Sequence, residues 1–373
     1  MKILEIDTEN RRQVRDFLDL PFRIYADCPQ WVPPLEMDAR RMLDRTHHPF
    51  FKHSDAAFFL ASDTNGQILG RVAVLDNQHY NEYNHEKTAF FYLFECVNEV
   101  NTCQGLFDAV FNWARNRGLA NIKGPKGFTA LDGMGLLIKG FEYRPALGIP
   151  YNLNYYQTLV ENAGFIPEGN MVSGYILPGY RLPEKVHRVA ERVRERYGLT
   201  VERFQTRNDL RKFVPHLKDL YNNSLEGTEG NTPLTDEEAR VMADQILWFA
   251  NPKLIKILKK NDRIVGFLLA YPDISAAIQR TKGKLFPLGW IDIFLELRRT
   301  KWININGAGI VGDYRGLGGT AVLFSEMEKS ILEGGFERAD MVQIGTENEK
   351  MQLEMRALGV EFCKIHRGYF QEL

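Results

Sequence analysis

Apolar runs broken by turn residues describe a chain of strands and helices in mixed order. FFLAS, the turn Asp63-Thr64-Asn65-Gly66 and QILGRVAVL give one hairpin signal; LIKILKK, Asn261-Asp262 and RIVGFLLAYP give another. Both concentrate β-branched and aromatic residues around a turn of Asn, Asp or Gly. TAFFYLFECV and KWININGAGIV read as further strands, and LFDAVFNWARNRG and TAVLFSEMEKSIL as helices following them. EKVHRVAERVRERYG sets Val186, Val189, Ala190, Val193 and Tyr197 on one helical face. Its other face carries Arg188, Arg192, Arg194 and Arg196, expected in water with pairs along the helix such as Glu191 with Arg194.

The two hairpins are related. Each has a Gly at the same place on its return strand, and Gly70 and Gly266 stand 196 residues apart. Gly164 and Gly359, after two similar helices, are 195 apart, and Gly174 and Gly368, in two similar strands, are 194 apart. Between these, the helices after Gly105 and Gly319 are offset by 214. An insertion near residues 273–300 of the second half and a longer loop near 126–150 of the first account for the rise and fall. The chain therefore reads as two copies of one fold, residues 1–178 and 179–373, joined where Leu177-Pro178-Gly179-Tyr180-Arg181-Leu182-Pro183 breaks both patterns.

Composition agrees with two globular domains: 373 residues, 44% hydrophobic and 25% charged. Forty-seven Lys and Arg against 48 Asp and Glu give no global electrostatic case for nucleic acid. Cys28, Cys96, Cys103 and Cys363 lack CxxC spacing, which argues against a zinc ribbon and a disulfide framework and suits a reducing compartment. With no signal-peptide core and no apolar run of about 18 residues, a cytoplasmic location is expected.

The chemistry concentrates in the second half. After KWININGAGIV comes GDYRGLGGT and then a helix, so Arg315-Gly316-Leu317-Gly318-Gly319-Thr320 offers backbone N–H groups with little side-chain bulk at a helix N-terminus. Such a turn binds phosphates through oriented amides and the helix dipole. No Gly-Lys-Ser/Thr follows and Gly-x-Gly-x-x-Gly is absent, so it is neither a Walker loop nor a Rossmann fingerprint.

This unit resembles the pyrophosphate loop of the GCN5-related N-acetyltransferase (GNAT) superfamily, Gln/Arg-x-x-Gly-x-Gly/Ala. Tyr314, Arg315 and Gly318 match, and Thr320 stands at the last position. The order around it is similar too: a strand LTVERFQ, two helices around 208–225 and 235–250, the hairpin, the loop, a strand DMVQIG, a helix opened by Asn348, and a final strand pair. The first half follows the same order more faintly, and its WVPPL, HPFF and YNLNYYQTL resemble a bacterial family of such tandem proteins. The resemblance implies an α/β fold of two tandem GNAT-like domains, each a mostly antiparallel twisted sheet flanked by helices.

It further implies acetyl-CoA or another acyl-CoA as co-substrate, without metal. The pantetheine arm would pair with the backbone of Ile310 and Val311, the pyrophosphate would sit on Tyr314 and on Arg315 to Thr320, and Asn348 would lie near the arm. Many family members carry a Tyr that protonates the leaving thiolate; here that position is Met355. Tyr369 is a substitute by residue type, though it also reads as a strand-packing residue. Glu226 and Glu229, in SLEGTEGNTPLT, border the acceptor site in the resembling fold, and Asn304 or Asn306 on the motif strand is a hydrogen-bonding candidate.

The first half lacks the glycine loop, and Glu99 sits where a pyrophosphate would need amides. It is therefore expected not to hold coenzyme A in the usual way. Glu95, mid-strand among aromatics, is either a buried paired carboxylate or a functional one. His47, His48 and His53 lack metal-ligand spacing. The Gly-rich 124–152 segment, with Phe128, Phe141, Tyr143, Tyr151, Tyr155 and Tyr156, lines an apolar pocket or packs between halves. The insertion 273–300, with its apolar run at 285–297 and basic flanks, forms a lid, a peripheral membrane contact or a covered core segment. The expected activity is acyl-CoA-dependent N-acyl transfer to a small-molecule amine, the donor held by the second half. A non-catalytic acyl-CoA sensor and a structural pseudoenzyme are the alternatives.

Overall fold

The structure is a computed structural model describing residues 1–129, 132–225 and 231–373. The first half runs β1 (Lys2–Glu5), α1 (Arg11–Ile24), α2 (Glu36–Arg41), β2 (Asp55–Ser62), β3 (Ile68–Asp76) and α3 (Gln78–Asn84). It continues through β4 (Thr88–Cys96), α4 (Val100–Asn116), β5 (Asn121–Gly124), β6 (Leu136–Lys139), α5 (Tyr156–Asn162) and β7 (Ile166–Ile176). The second half opens with α6 (Glu184–Tyr197), β8 (Leu199–Arg203), α7 (Arg207–Leu225), α8 (Asp236–Phe249), β9 (Ile255–Lys260) and β10 (Arg263–Pro272). The insertion α9 (Ser275–Thr281) and α10 (Gly289–Arg299) follows, then β11 (Trp302–Ile310), α11 (Gly319–Glu333), β12 (Arg338–Gly345), α12 (Glu349–Ala357) and β13 (Glu361–Glu372).

Both expected hairpins form, with Gly70 opposite Cys96 and Gly266 opposite Ile310 on the next strand. The α/β fold class expected from the pattern is the one observed: a mixed sheet flanked by helices on both faces. The thirteen strands of the described residues join one sheet in the order β1-β2-β3-β4-β5-β13-β7-β12-β11-β10-β9-β8, with β6 also on β13. Only the pairs β4–β5 and β11–β12 are parallel among the described residues; each is crossed over by one helix, α4 or α11.

The halves exchange their last strands. β7 closes the first half in sequence, yet it pairs with β12 of the second (Ala339↔Ile176 to Gly345↔Met171). β13 closes the second half and pairs with β5 of the first (Tyr369↔Gly124 to Glu372↔Asn121). The two exchanged strands then pair with each other from Glu361↔Tyr175 to Phe370↔Ile166, which welds the sheets together.

Helices on each face complete matching cores. α4 packs Leu106, Phe107, Val110 and Phe111 on the first half's sheet; α11 packs Val322, Leu323 and Met327 on the second's. On the opposite face, α1 covers β3 and β4 while α7 covers β10 and β11. α6 buries Val186, Ala190 and Val193 as its periodicity predicts. Its Arg194 pairs across to Glu326 of α11 at 2.5 Å, where Arg203 and Lys329 also converge, instead of with Glu191 along its own helix. Three cations, from α6, the end of β8 and α11, favour that arrangement, and they hold the Glu326 carboxyl down at about 2, against the pull of burial.

Because β13 fills a slot in the first half's sheet, neither half has a complete sheet alone. Residues 1–178 and 179–373 expressed separately should be insoluble or molten, since each exposes an unpaired internal edge. Co-expressed, they should reassemble into a complex recoverable by gel filtration. A soluble, cooperatively unfolding 1–178 fragment would contradict this reading.

Candidate functional site

β11 and β12 pair in parallel from Trp302↔Arg338 to Ile305↔Met341 and then part. β11 runs on to Ile310 and β12 to Gly345, leaving an opening between them. On its other side β11 stays bonded to β10, and the Val311 N–H donates to the Val265 carbonyl at 3.0 Å. In an extended strand successive residues present their backbone groups to opposite sides. Val311 thus faces β10, and Ile310 turns its backbone to the opening. Of the two residues expected to pair with a pantetheine arm, Ile310 has its backbone turned to the opening, with its carbonyl accepting from Arg315, and Val311 has spent its N–H on β10.

The chain leaves β11 through a single turn at Gly312–Tyr314 and enters the glycine loop. Gly316 and Gly318 take φ of 78° and 89°, a region costly for other residues. A Cβ on Gly316 would meet only open space, whereas one on Gly318 would lie 2.7 Å from Cγ2 of Val193. Gly319 is wedged between Leu258 and Ile310 and begins α11. The first N–H groups of α11, from Gly319 and Thr320, have no intrahelical acceptor and carry the positive end of the helix dipole. Leu317 is the one bulky residue of the turn and is half-buried. Arg315 braces the loop: Nε donates to the Ile310 carbonyl at 3.1 Å and Nη2 to the Ser224 carbonyl at 2.9 Å. The Tyr314 ring packs against the second-half core beside Lys260 and Arg263, which bring positive charge near the turn.

Asn348 opens α12, its Oδ1 accepting from the Met351 N–H at 3.1 Å, and it lines the cavity described below. Met355 lies on the same wall, buried. Asn304 is buried, its Oδ1 facing the Leu147 N–H at 3.4 Å and its Nδ2 unpartnered; its neighbour Asn306 is the one on the cavity wall. Tyr369 is placed elsewhere. It is fully buried in the first half's core, its hydroxyl donating to Glu161 at 3.3 Å, because strand exchange carries β13 out of the second half. Glu226 and Glu229 lie outside the described residues.

In the first half Cys96 occupies the register of Ile310. Its N–H donates to the Tyr156 hydroxyl at 3.2 Å and its carbonyl accepts from the Tyr155 hydroxyl at 2.8 Å. Tyrosines at the start of α5 thus occupy both backbone groups at this register, whereas in the second half Arg315 occupies the Ile310 carbonyl. The turn before α4 contains no glycine, and the Glu99 carboxylate accepts from the Thr102 hydroxyl at 3.0 Å. Glu95 is a paired carboxylate. Tyr25 and Tyr156 donate to its Oε2 at 2.6 and 2.7 Å, with Arg71 3.8 Å from Oε1. Burial raises its carboxyl above the usual range, against the pull of Arg71 and both hydroxyls.

Between the halves lies a cavity of about 910 Å³, near the top of the usual range for small-molecule sites. Trp31, Phe94 and Leu147 of the first half and Phe249, Ile274 and Met355 of the second give it apolar walls. Glu95, Asp132, Asn306 and Asn348 are among its polar groups. Of the aromatics in the first-half Gly-rich segment, Tyr151 reaches this wall, whereas Phe128 is in the core beneath. Asp132 was not singled out by the sequence, and Trp31 entered only as part of WVPPL, with no role in a site. Burial holds the Asp132 carboxyl up at about 6, although the Thr129 N–H donates to it at 2.7 Å.

No protein-family profile matches the chain. It is similar to Protein YghO of Escherichia coli (strain K12), 23% identical over 98% of this chain and 94% of that protein. It is also similar to a bacterial ceramide synthase of Caulobacter vibrioides (strain NA1000 / CB15N), 25% identical over 79% of this chain and 76% of that protein. Among solved structures, a tandem GNAT protein from the clavulanic acid biosynthesis pathway superposes with a TM-score of 0.57, covering 100% of this chain and 98% of that one at 10% identity. The chain has the tandem GNAT fold.

Asp132 gives a pH test. An unfolded Asp titrates near 4 and the folded one at about 6, so the folded state holds the proton more tightly and stability falls as pH rises between them. Asp132→Asn should abolish that fall. Its unfolding free energy from urea titration should match the parent near pH 3.5 and exceed it at pH 7.5 by about 1–3 kcal/mol. A variant no more stable at pH 7.5 would contradict the assignment.

Proposed function

We propose that the chain is an acyl-CoA-dependent N-acyltransferase whose second half holds the donor and whose cavity between the halves takes an amine with a long apolar tail. One observation carries the reading. The opening beside Ile310 leads to the Gly316–Thr320 turn at the head of α11, while its counterpart at Cys96 is closed by Tyr155 and Tyr156. A pantetheine arm needs strand-edge backbone, and a pyrophosphate needs unpaired amides at a helix N-terminus. The second half offers both, whereas in the first half the strand edge is taken by two tyrosines and Glu99 sets a carboxylate beside the N-terminus of α4. Arg315 acts here as a brace holding the turn to β11 and α7, and Asn348 shapes the wall beside the arm.

Transfer requires a neutral amine. Its lone pair attacks the thioester carbonyl, its proton passes to a base, and the thiol leaves protonated. The carboxyls on the cavity wall with raised proton affinity, Asp132 and Glu95, are the candidate proton acceptors. Met355 has no proton to give, so the thiolate is protonated from water or from the departing proton of the amine. Ceramide is an amide of a long-chain amino alcohol. An acceptor of that class suits both the cavity's volume and its walls, and the Caulobacter relative's name points the same way. Met355 also favours a second reading, a non-catalytic acyl-CoA sensor.

Thermal unfolding with acetyl-CoA and palmitoyl-CoA tests donor binding. At about 100 times Kd the donor should add about 2.7 kcal/mol of stability. Gly316→Glu, whose side chain enters open space, should abolish the shift by putting a carboxylate on the phosphate site, with only about 1 kcal/mol of backbone strain in the free protein. A shift that survives Gly316→Glu would refute the site.

Thiol release with long-chain amino alcohols and short amines then separates catalyst from sensor. The account predicts release with the long-chain acceptors, at least tenfold slower in Asp132→Asn or Glu95→Gln. Donor binding with no release from any amine would leave the sensor reading.

A further inference from the structure

The α9–α10 insertion is firmly seated on one side and strongly apolar on the other. Arg280 pairs with Asp292 at 2.8 Å and with Glu296 at 2.5 Å, and Arg299 joins the same two carboxylates, so the two helices are clasped together. Ile274, Ala277, Ile278 and Ile293 pack beneath, against Val32 and Leu35 of the first half. Gln279 donates to the Pro29 and Trp31 carbonyls, both at 2.8 Å, and the Glu36 N–H donates to the Gly283 carbonyl at 2.9 Å. This is a fixed element.

Its outer face carries Phe286, 79% exposed, Leu288, 67%, Trp290, 51%, and Phe294 and Leu295, each 48%. Residues 290, 294 and 298 and residues 291 and 295 follow helical spacing, so the patch is one stripe of α10 continued by the turn before it. The charges around it are cationic. Asp292 and Glu296 are consumed by the clasp, whereas Lys282, Lys284 and Arg298 are exposed with no carboxylate partner among the described residues. Arg298 lies over the Phe294 ring at 4.3 Å, an apolar stem with its charge at the rim. The Trp290 indole N–H is satisfied by the Pro287 carbonyl at 3.1 Å, so its ring can enter an apolar layer without a stranded donor.

We propose that this face docks on the surface of an anionic phospholipid bilayer, with Phe286, Leu288, Trp290 and Phe294 in the headgroup–acyl boundary and Lys282, Lys284 and Arg298 on lipid phosphates. Rigid apolar side chains ringed by unpaired cations match that layer in both polarity and charge. A second copy of the chain fits less well, since a symmetric contact through this face brings its cations together. The placement has a consequence. Ile274, Ile278, Lys282 and Lys284 also line the cavity, so the membrane-facing stripe adjoins one of its walls. The docking itself does not depend on acyl transfer.

Co-sedimentation of the full chain with vesicles of phosphatidylcholine, alone or with about 30% phosphatidylglycerol, tests it. The protein should bind the anionic vesicles more tightly, and salt should weaken that preference. Phe286→Ser/Leu288→Ser/Trp290→Ser should lower the partition coefficient about tenfold or more while the melting temperature holds, because these side chains are largely in water already. Lys282→Gln/Lys284→Gln/Arg298→Gln should remove the preference for phosphatidylglycerol and leave residual binding. Failure to bind either vesicle would overturn the proposal, as would binding untouched by both triple variants. So would a dimer on gel filtration that the apolar triple variant dissociates while no vesicle binding is seen.

Discussion

Everything in this molecule depends on the exchange of β7 and β13. A strand that closes the sheet of the other half ties the two copies at a fixed angle and position, and the cavity between them exists only because that relation is rigid. The tie is reinforced chemically. Lys364 of β13 and Asp340 of β12 lie on either side of β7 and meet at 2.9 Å, both buried, with Lys364 also donating to the Arg144 carbonyl at 3.3 Å. A buried pair of this kind adds little net stability, but leaving either partner alone costs about 3–5 kcal/mol, so it selects one register of β13 over its neighbours. The same exchange carries Tyr369 into the first half's core and out of reach of the second half's cleft.

On this frame the halves differ most tellingly at one strand edge. Cys96 and Ile310 stand in the same register, opposite equivalent glycines. In the first half two tyrosine hydroxyls satisfy the strand edge and a network of Tyr25, Tyr156, Arg71 and Glu95 fills the space beyond. In the second half the edge turns toward an opening that ends on backbone amides. The first half has thus become a wall and a strand donor. Its contribution to the cavity includes Trp31, Phe94, Glu95, Asp132 and the 146–152 segment.

Much of the fold was legible in local patterns. The hairpins, the helices at 207–225 and 236–249 and the glycine turn are set by periodicity and turn chemistry within about 20 residues. The offset between glycines located the insertion at α9–α10 and the extra loop that holds β6. Strand exchange was not legible. The apolar alternation of β7 and β13 is satisfied equally well in either half, so the pattern shows that a final strand exists and not which sheet receives it. For the same reason Tyr369 could be chosen by residue type and still lie in the wrong half. Of the candidate donor-site residues, the glycines were readable because positive φ and close approach leave a mark in sequence. The orientation of Ile310 against Val311 was not, since it depends on the phase of the β10–β11 pairing. Asp132 and Trp31 belong to a surface made only when the halves meet.

The central claim is that the second half's strand edge and glycine turn receive the donor while the first half's edge is closed. Hydrogen–deuterium exchange with and without a saturating acyl-CoA measures this directly. The account predicts slowed exchange at residues 308–321, with no change at 94–104. Protection at Cys96 and the start of α4, or protection absent from the Gly316–Thr320 turn, would contradict it.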